Sequence, residues 1–141
     1  MKSNFYTFNT YLKNEEKLIT ATMEDYIEMI YRLSEKEGFT RVGDLSKALN
    51  VQPPSISKMI KRLVMLDMTI SPKYGYIKLT EVGKEYGLYL LNRHKTIEKF
   101  LSLIGVKESL LEETEKIEHV LNKETLECIM KFIDKMEQDK T

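Results

Sequence analysis

The stretch "VQPPSISKMIKRL", residues 51–63, constrains the fold more than any other part of the chain. A proline has no backbone N–H, so a pair of them is tolerated at the first turn of a helix, where that group lacks an intrahelical partner, and not inside one. Pro53 and Pro54 therefore open a helix. Beyond them Ile56, Met59, Ile60, Leu63 and Leu66 recur at close to 3.6 residues and define its core face. Ser55, Ser57, Lys58, Lys61 and Arg62 occupy the rest of its surface.

The flanking segments extend this pattern. Thr22 is placed as an N-cap with Asp25 at N3, and "MEDYIEMIYRLSEKEG" reads as a first helix ending at Gly38. Tyr26, Ile27, Ile30, Tyr31 and Leu33 form its apolar face. "RVGDLSKALN" is a short second helix, which makes the proline-led helix the third. "MTISPKYGYIKLT" then carries two short β-prone runs around Lys73-Tyr74-Gly75, which predicts a hairpin. Three helices followed by a hairpin outline a winged helix-turn-helix domain. Thr80 next caps a long helix that reaches about Ile104 and is stopped by Gly105. Two more follow, over roughly 107–121 and 123–138, with Asn122 as the cap between them. The expected fold is mainly α. A winged helix-turn-helix domain over residues 20–80 precedes a helical domain over 81–141, and residues 1–19 form an N-terminal extension, either flexible or a short packing segment.

Charge is balanced over the whole chain and uneven along it. Residues 40–80 carry seven basic side chains against Asp44 and Asp67, while residues 105–141 carry six lysines against ten acids. A basic segment suits an anionic partner and an acidic one suits a cation. In a recognition helix the N-terminal residues lie near base edges, and flanking hydroxyls and cations lie near phosphates. Gln52, Pro54, Ser55, Ser57 and Lys58 are the candidates for the first role; Lys61, Arg62 and the wing residues Lys73 and Tyr74 are the candidates for the second. By itself such a helix is only a solvated amphipathic surface, and it is the short helix before it and the hairpin after it that favour double-stranded DNA.

Several classes are disfavoured. A single cysteine, Cys128, forms neither an internal disulfide nor a CxxC metal site, and in its helical pattern it reads as ordinary packing in a reducing, cytosolic setting. No apolar run is long enough to span a bilayer, and the N-terminal residues lack the apolar core of a signal peptide. A carboxylate-bridged di-metal enzyme would want Glu-x-x-His spacings, and there is none, nor any HExxH or nucleotide loop. The chain is not expected to be an enzyme.

The two histidines raise a further possibility. Glu115, Glu118 and His119 stand at i, i+3 and i+4, on one side of a helix. His94 has Leu90, Leu91, Ile97 and Leu101 around it on the long helix, and Asp25 and Glu28 lie at i, i+3 on the first helix. Taken singly, these are solvated helix faces and a satisfied core histidine. Taken together, four carboxylates and two neutral imidazoles carry a charge that two divalent cations would cancel. Such an oxygen-rich set suits Mn²⁺ or Fe²⁺, although Zn²⁺, Co²⁺ and Cd²⁺ also bind sites of this kind.

"TMEDYIEMIYRL", "VQPPSISKMIKRL", "NRHKTIEKFL" and "ETEKIEHVL", in this order and spacing, resemble the diphtheria toxin repressor family, and more closely its manganese transport regulator branch. The similarity covers about residues 20–138. It implies that Asp25 and Glu28 of the DNA-binding domain, with His94, Glu115, Glu118 and His119 of a helical metal-binding and dimerisation domain, are ligands of a binuclear Mn²⁺ site, two ions per subunit. Iron-responsive relatives carry methionine at the position of Glu28 and cysteine at that of Glu115, so the carboxylates here favour manganese. The implied protein is a cytoplasmic homodimer that binds operator DNA when metal-loaded and represses metal-uptake genes. The alternatives are a winged-helix regulator answering to iron or another effector, and a metal-independent one. The chain stops before any SH3-like third domain, as in the shorter branch, and its N-terminal extension is longer than that branch leads one to expect. "QPPSISK" keeps the family's proline-serine pattern with side chains of its own, so no operator sequence transfers.

Overall fold

The computed structural model describes residues 19–139, so all of the expected extension except Ile19 lies outside the described residues. Helix α1 spans Ala21–Leu33. Its N-cap is Thr20 rather than Thr22: Thr20 has extended backbone angles, and its hydroxyl accepts the Met23 N–H at 3.2 Å. Thr22 already lies inside the first turn, where a side-chain cap has no function. Met23, Tyr26, Ile27 and Ile30 are buried, whereas Leu33 falls off this face and is exposed.

A two-residue strand, β1 (Thr40–Arg41), leads into α2 (Val42–Leu49). Asn50 closes α2 in the left-handed region at φ 56°, a conformation its short polar side chain tolerates. Helix α3 (Pro53–Met65) then starts with both prolines in its first turn. Ile56, Ile60 and Leu63 are buried, with Met59 and Leu66 packed against the same core. The spacing of apolar residues foretold this face correctly.

The hairpin is β2 (Thr69–Lys73) and β3 (Tyr76–Leu79), joined by Tyr74 and Gly75 at φ 57° and 78°. Two successive positive φ values match the right-handed twist of a tight hairpin, and glycine adopts the second without strain. Lys73 pairs with Tyr76 and Ile70 with Lys78, so β2 carries one extra residue between these rungs. The bulge accommodates Pro72, which has no N–H for the ladder. Strand β1 pairs with the other edge of β3, Thr40 opposite Ile77 and Arg41 opposite Tyr76, giving the antiparallel order β1-β3-β2. Phe39 and Tyr76 meet edge to face at 4.5 Å, with the Arg41 guanidinium near both rings.

Helix α4 (Glu81–Leu103) is capped by Thr80, whose hydroxyl accepts the Gly83 N–H at 2.9 Å and donates to the Asp67 carbonyl at 2.6 Å. Gly83 and Gly87 let this helix seat closely. A Cβ on Gly83 would lie 2.1 Å from the Met68 carbonyl oxygen, and one on Gly87 would lie 2.7 Å from the Tyr31 side chain. The chain divides into two compact units, the first ending at Leu90 and the second beginning at Leu91, so the division falls within α4.

In the second unit Gly105, at φ 101°, ends the path of α4. Helix α5 (Leu110–Glu118) is shorter than the expected 107–121, since residues before Leu110 form a turn and His119 is its C-cap. Helix α6 (Lys123–Asp139) is capped as expected by Asn122, whose Oδ1 accepts the Thr125 N–H at 2.8 Å. Leu126 and Ile133 are buried two turns apart on one side of α6. Cys128 lies two residues from Leu126, about 200° around the helix, and is exposed. The packing role expected for it is therefore corrected. The fold is mainly α with one small sheet. No helix among the described residues is long and apolar enough to cross a membrane.

Candidate nucleic-acid interface and metal centre

Helix α3 presents its polar face to solvent. Gln52, Pro54, Ser55, Ser57, Lys58, Lys61 and Arg62 are all exposed, as are Lys73 and Tyr74 on the hairpin. No acidic residue stands in the first turn of α3, so nothing on that turn opposes an approaching phosphate. The buried row Ile56, Ile60 and Leu63 anchors the opposite face, leaving the serines and cations pointing away from the core.

The acidic residues of α1 divide in their roles. Glu24 accepts a 2.5 Å hydrogen bond from the hydroxyl of Tyr86, a side chain buried in the core, and so ties α1 to α4. Asp25 is exposed. Glu28 is mostly covered, its side chain 13% exposed, and forms a 2.5 Å ion pair with Arg32 one turn later.

Three further candidates meet in the second unit. His94 is buried on α4, and its Nδ1 lies 2.8 Å from Oε2 of Glu118 on α5. A carboxylate only accepts, so the ring donates through Nδ1, and the lone pair of the neutral ring then lies on Nε2. Nε2 itself stands 3.7 Å from Glu98. The other oxygen of Glu118 lies 3.6 Å from Nε2 of His119. A single carboxylate, 3% exposed, thus stands between two imidazoles. Burial of a carboxylate is costly without hydrogen-bond or cation partners, and here the partners are rings that also ligate metals.

Glu115 is not drawn into this group. It lies one residue beyond the buried Thr114, and because α5 buries Thr114 and Glu118 at i and i+4, Glu115 faces solvent. Thr114 itself bonds back to the Leu110 carbonyl at 2.7 Å.

Arg93 was missed by the sequence reading. It is buried, and one of its guanidinium nitrogens lies 3.3 Å from Nδ1 of His119. A guanidinium only donates, so that ring nitrogen accepts and the proton of a neutral His119 sits on Nε2. The signal was present in the spacing: Arg93 stands at i+3 from Leu90 and i−4 from Ile97, a cation within a buried row. Glu24 carried no such signal, since its partner Tyr86 is distant in sequence.

Residues 18–75 match the family model described as iron dependent repressor, N-terminal DNA binding domain. Residues 80–141 match the companion model, iron dependent repressor, metal binding and dimerisation domain. Among solved structures the chain is similar to T. acidophilum IdeR, with 30% identity, a TM-score of 0.70 and coverage of 82% of this chain and 55% of that one. It is similar to the manganese regulator SloR at 29% identity and TM-score 0.68, covering 79% and 53% of the two chains. It matches ScaR with bound Zn²⁺ at 29% identity and TM-score 0.67, again covering 79% and 53%. The chain spans about half the length of these solved relatives. The two family models together cover nearly every described residue, and on that ground the chain belongs to the iron-dependent repressor family, that of the diphtheria toxin repressor.

Proposed function

We propose that this chain is a metal-responsive transcriptional regulator whose operator binding is activated by divalent cations, Mn²⁺ foremost, and that it represses metal-uptake genes. It acts as a cytoplasmic homodimer on double-stranded DNA and is not an enzyme. The observation that carries this reading is Glu118, a buried carboxylate with one oxygen 2.8 Å from His94 and the other 3.6 Å from His119. Carboxylate oxygens and imidazole nitrogens fit a divalent ion of the manganese or iron type, and no thiolate is among them.

The proposed ligands are Asp25 and Glu28 on α1, His94 on α4, and Glu115, Glu118 and His119 on α5 and its cap, enough for two ions per subunit. Carboxylates at Glu28 and Glu115 support manganese over iron, and the manganese regulator among the similar structures is consistent with that preference. Fe²⁺, Zn²⁺, Co²⁺ and Cd²⁺ are expected to bind the same donors. Once bound, each ion supplies positive charge that offsets carboxylate repulsion.

The chain's own residues do the rest. The proposed ligands are drawn from both parts of the chain, so metal affinity and DNA affinity would be coupled. That coupling would favour the state in which the α3 helices of a dimer can reach successive major-groove faces, ~34 Å apart. Gln52, Pro54, Ser55, Ser57 and Lys58 then face base edges, while Lys61, Arg62, Lys73 and Tyr74 hold phosphates. By linkage, DNA tightens metal binding by the factor by which metal tightens DNA binding.

The test uses Glu118→Ala and His119→Ala in an operator-binding assay. Both variants are expected to keep native circular dichroism and to lose Mn²⁺-stimulated binding. Undiminished stimulation in both variants rules the reading out.

A further inference from the structure

The ion pair between Glu28 and Arg32 has a consequence for metal loading. Both residues lie on α1, four apart, with the acid N-terminal to the base, the favourable order for a helical pair. The guanidinium stands 2.5 Å from Oε2 of Glu28. The two partners are covered unequally: the Glu28 side chain is 13% exposed and that of Arg32 is 40% exposed. The carboxylate is therefore held in place, while the guanidinium has a route to water.

We propose that Arg32 is a built-in competitor of the metal for Glu28, a resident cation that occupies the carboxylate until a divalent ion displaces it. This inference rests on the assignment of Glu28 as a ligand. A charge-assisted bond engages the lone pairs that a hard cation would use. A guanidinium and a divalent ion on one carboxylate also repel each other. The arginine swings away, and its partial exposure makes that displacement accessible. In the metal-free protein Arg32 offsets the charge of a mostly covered carboxylate, which lowers the cost of keeping Glu28 charged and correctly placed. Arg32 thus sets the metal concentration at which the site fills, without being a ligand.

Calorimetric titration of the full chain with Mn²⁺ tests this, using wild type, Arg32→Met, Arg32→Gln, Arg32→Lys and Glu28→Gln. Both neutral variants are expected to bind Mn²⁺ about three- to tenfold more tightly, the range set by the worth of a part-exposed ion pair plus the repulsion removed. Arg32→Lys keeps the charge and stays near wild type. The gain in the neutral variants should shrink at high salt, because a part-exposed charge is screened. The metal-free neutral variants should melt at or slightly below the wild-type temperature.

Equal or weaker Mn²⁺ affinity in both Arg32→Met and Arg32→Gln overturns the proposal, since weaker binding would make Arg32 a residue that positions Glu28. If Glu28→Gln weakens binding while the Arg32 variants do not tighten it, the competitor role fails and the ligand assignment stands. If Glu28→Gln binds as tightly as wild type, the ligand assignment fails and the competitor role goes with it.

Discussion

The two units bury different kinds of side chain. In the first unit the fully covered residues are almost all apolar: Ile27, Ile30, Leu45, Ile56, Ile60, Leu63, Met68, Ile77 and Leu90. In the second unit Leu91, Ile97, Leu101, Leu126 and Ile133 share the buried set with Arg93, His94, Thr114 and Glu118. Apolar burial does not depend on bound ions, and it holds α3 and the hairpin in place. A buried carboxylate between two imidazoles depends on what balances its charge, so Glu118 is a place where a bound ion would change stability, as no residue of the apolar core is.

The largest effect that would sharpen this contrast comes from the first unit. Leu63→Ala removes a fully buried side chain from α3 and should lower unfolding stability by about 3 kcal/mol. The same loss is expected in urea melts with and without Mn²⁺. A loss that disappeared on adding Mn²⁺ would break the distinction between the units.

Metal should act at slightly smaller magnitude. At a free Mn²⁺ concentration one hundred times its dissociation constant, wild type should gain about 2.7 kcal/mol in stability. Glu118→Ala should show little of that gain under the same conditions. A full gain in the variant would mean that the ion is held elsewhere.

A cap tests the first unit more finely. Thr20→Ala should cost about 1 kcal/mol, because the Met23 N–H loses its acceptor, while Thr22→Ala at an exposed position should cost far less. Thermal melts of the two variants separate the assignments. The smallest effect belongs to Cys128→Ser, which should leave both melting temperature and Mn²⁺ response unchanged, since the thiol is exposed on α6.

How far the sequence could be read follows from which interactions are local. The proline-led start of α3 and its apolar period depend on neighbours within a turn or two, and both were legible. So were the hairpin around Tyr74-Gly75 and the caps at Thr80 and Asn122. The choice between Thr20 and Thr22 was not, because both are good caps in sequence and only the backbone angles decide. Strand β1 was also illegible: two residues have no periodicity, and their partners Tyr76 and Ile77 lie on the far side of two helices. The need for Gly83 and Gly87 was equally illegible, because it lies in close approach to Met68 and Tyr31, residues of other segments.

In the candidate site, residue types were legible and pairings were not. The spacing placed Glu115, Glu118 and His119 on one side of a helix; α5 buries Glu118, half-buries His119 at its cap and leaves Glu115 exposed. The 2.8 Å contact between Glu118 and His94 joins two helices and leaves no trace in either local pattern. The ion pair of Glu28 with Arg32 is local, an i, i+4 pair that the spacing alone allows.

The most direct test of the central claim is the affinity of the full chain for fluorescently labelled promoter DNA, followed by anisotropy as free Mn²⁺ is raised under controlled buffering. Binding should be weak in the presence of chelator, rise in affinity as Mn²⁺ is added, and reverse when chelator is restored. Operator affinity that is the same in chelator and in saturating Mn²⁺ would contradict that claim.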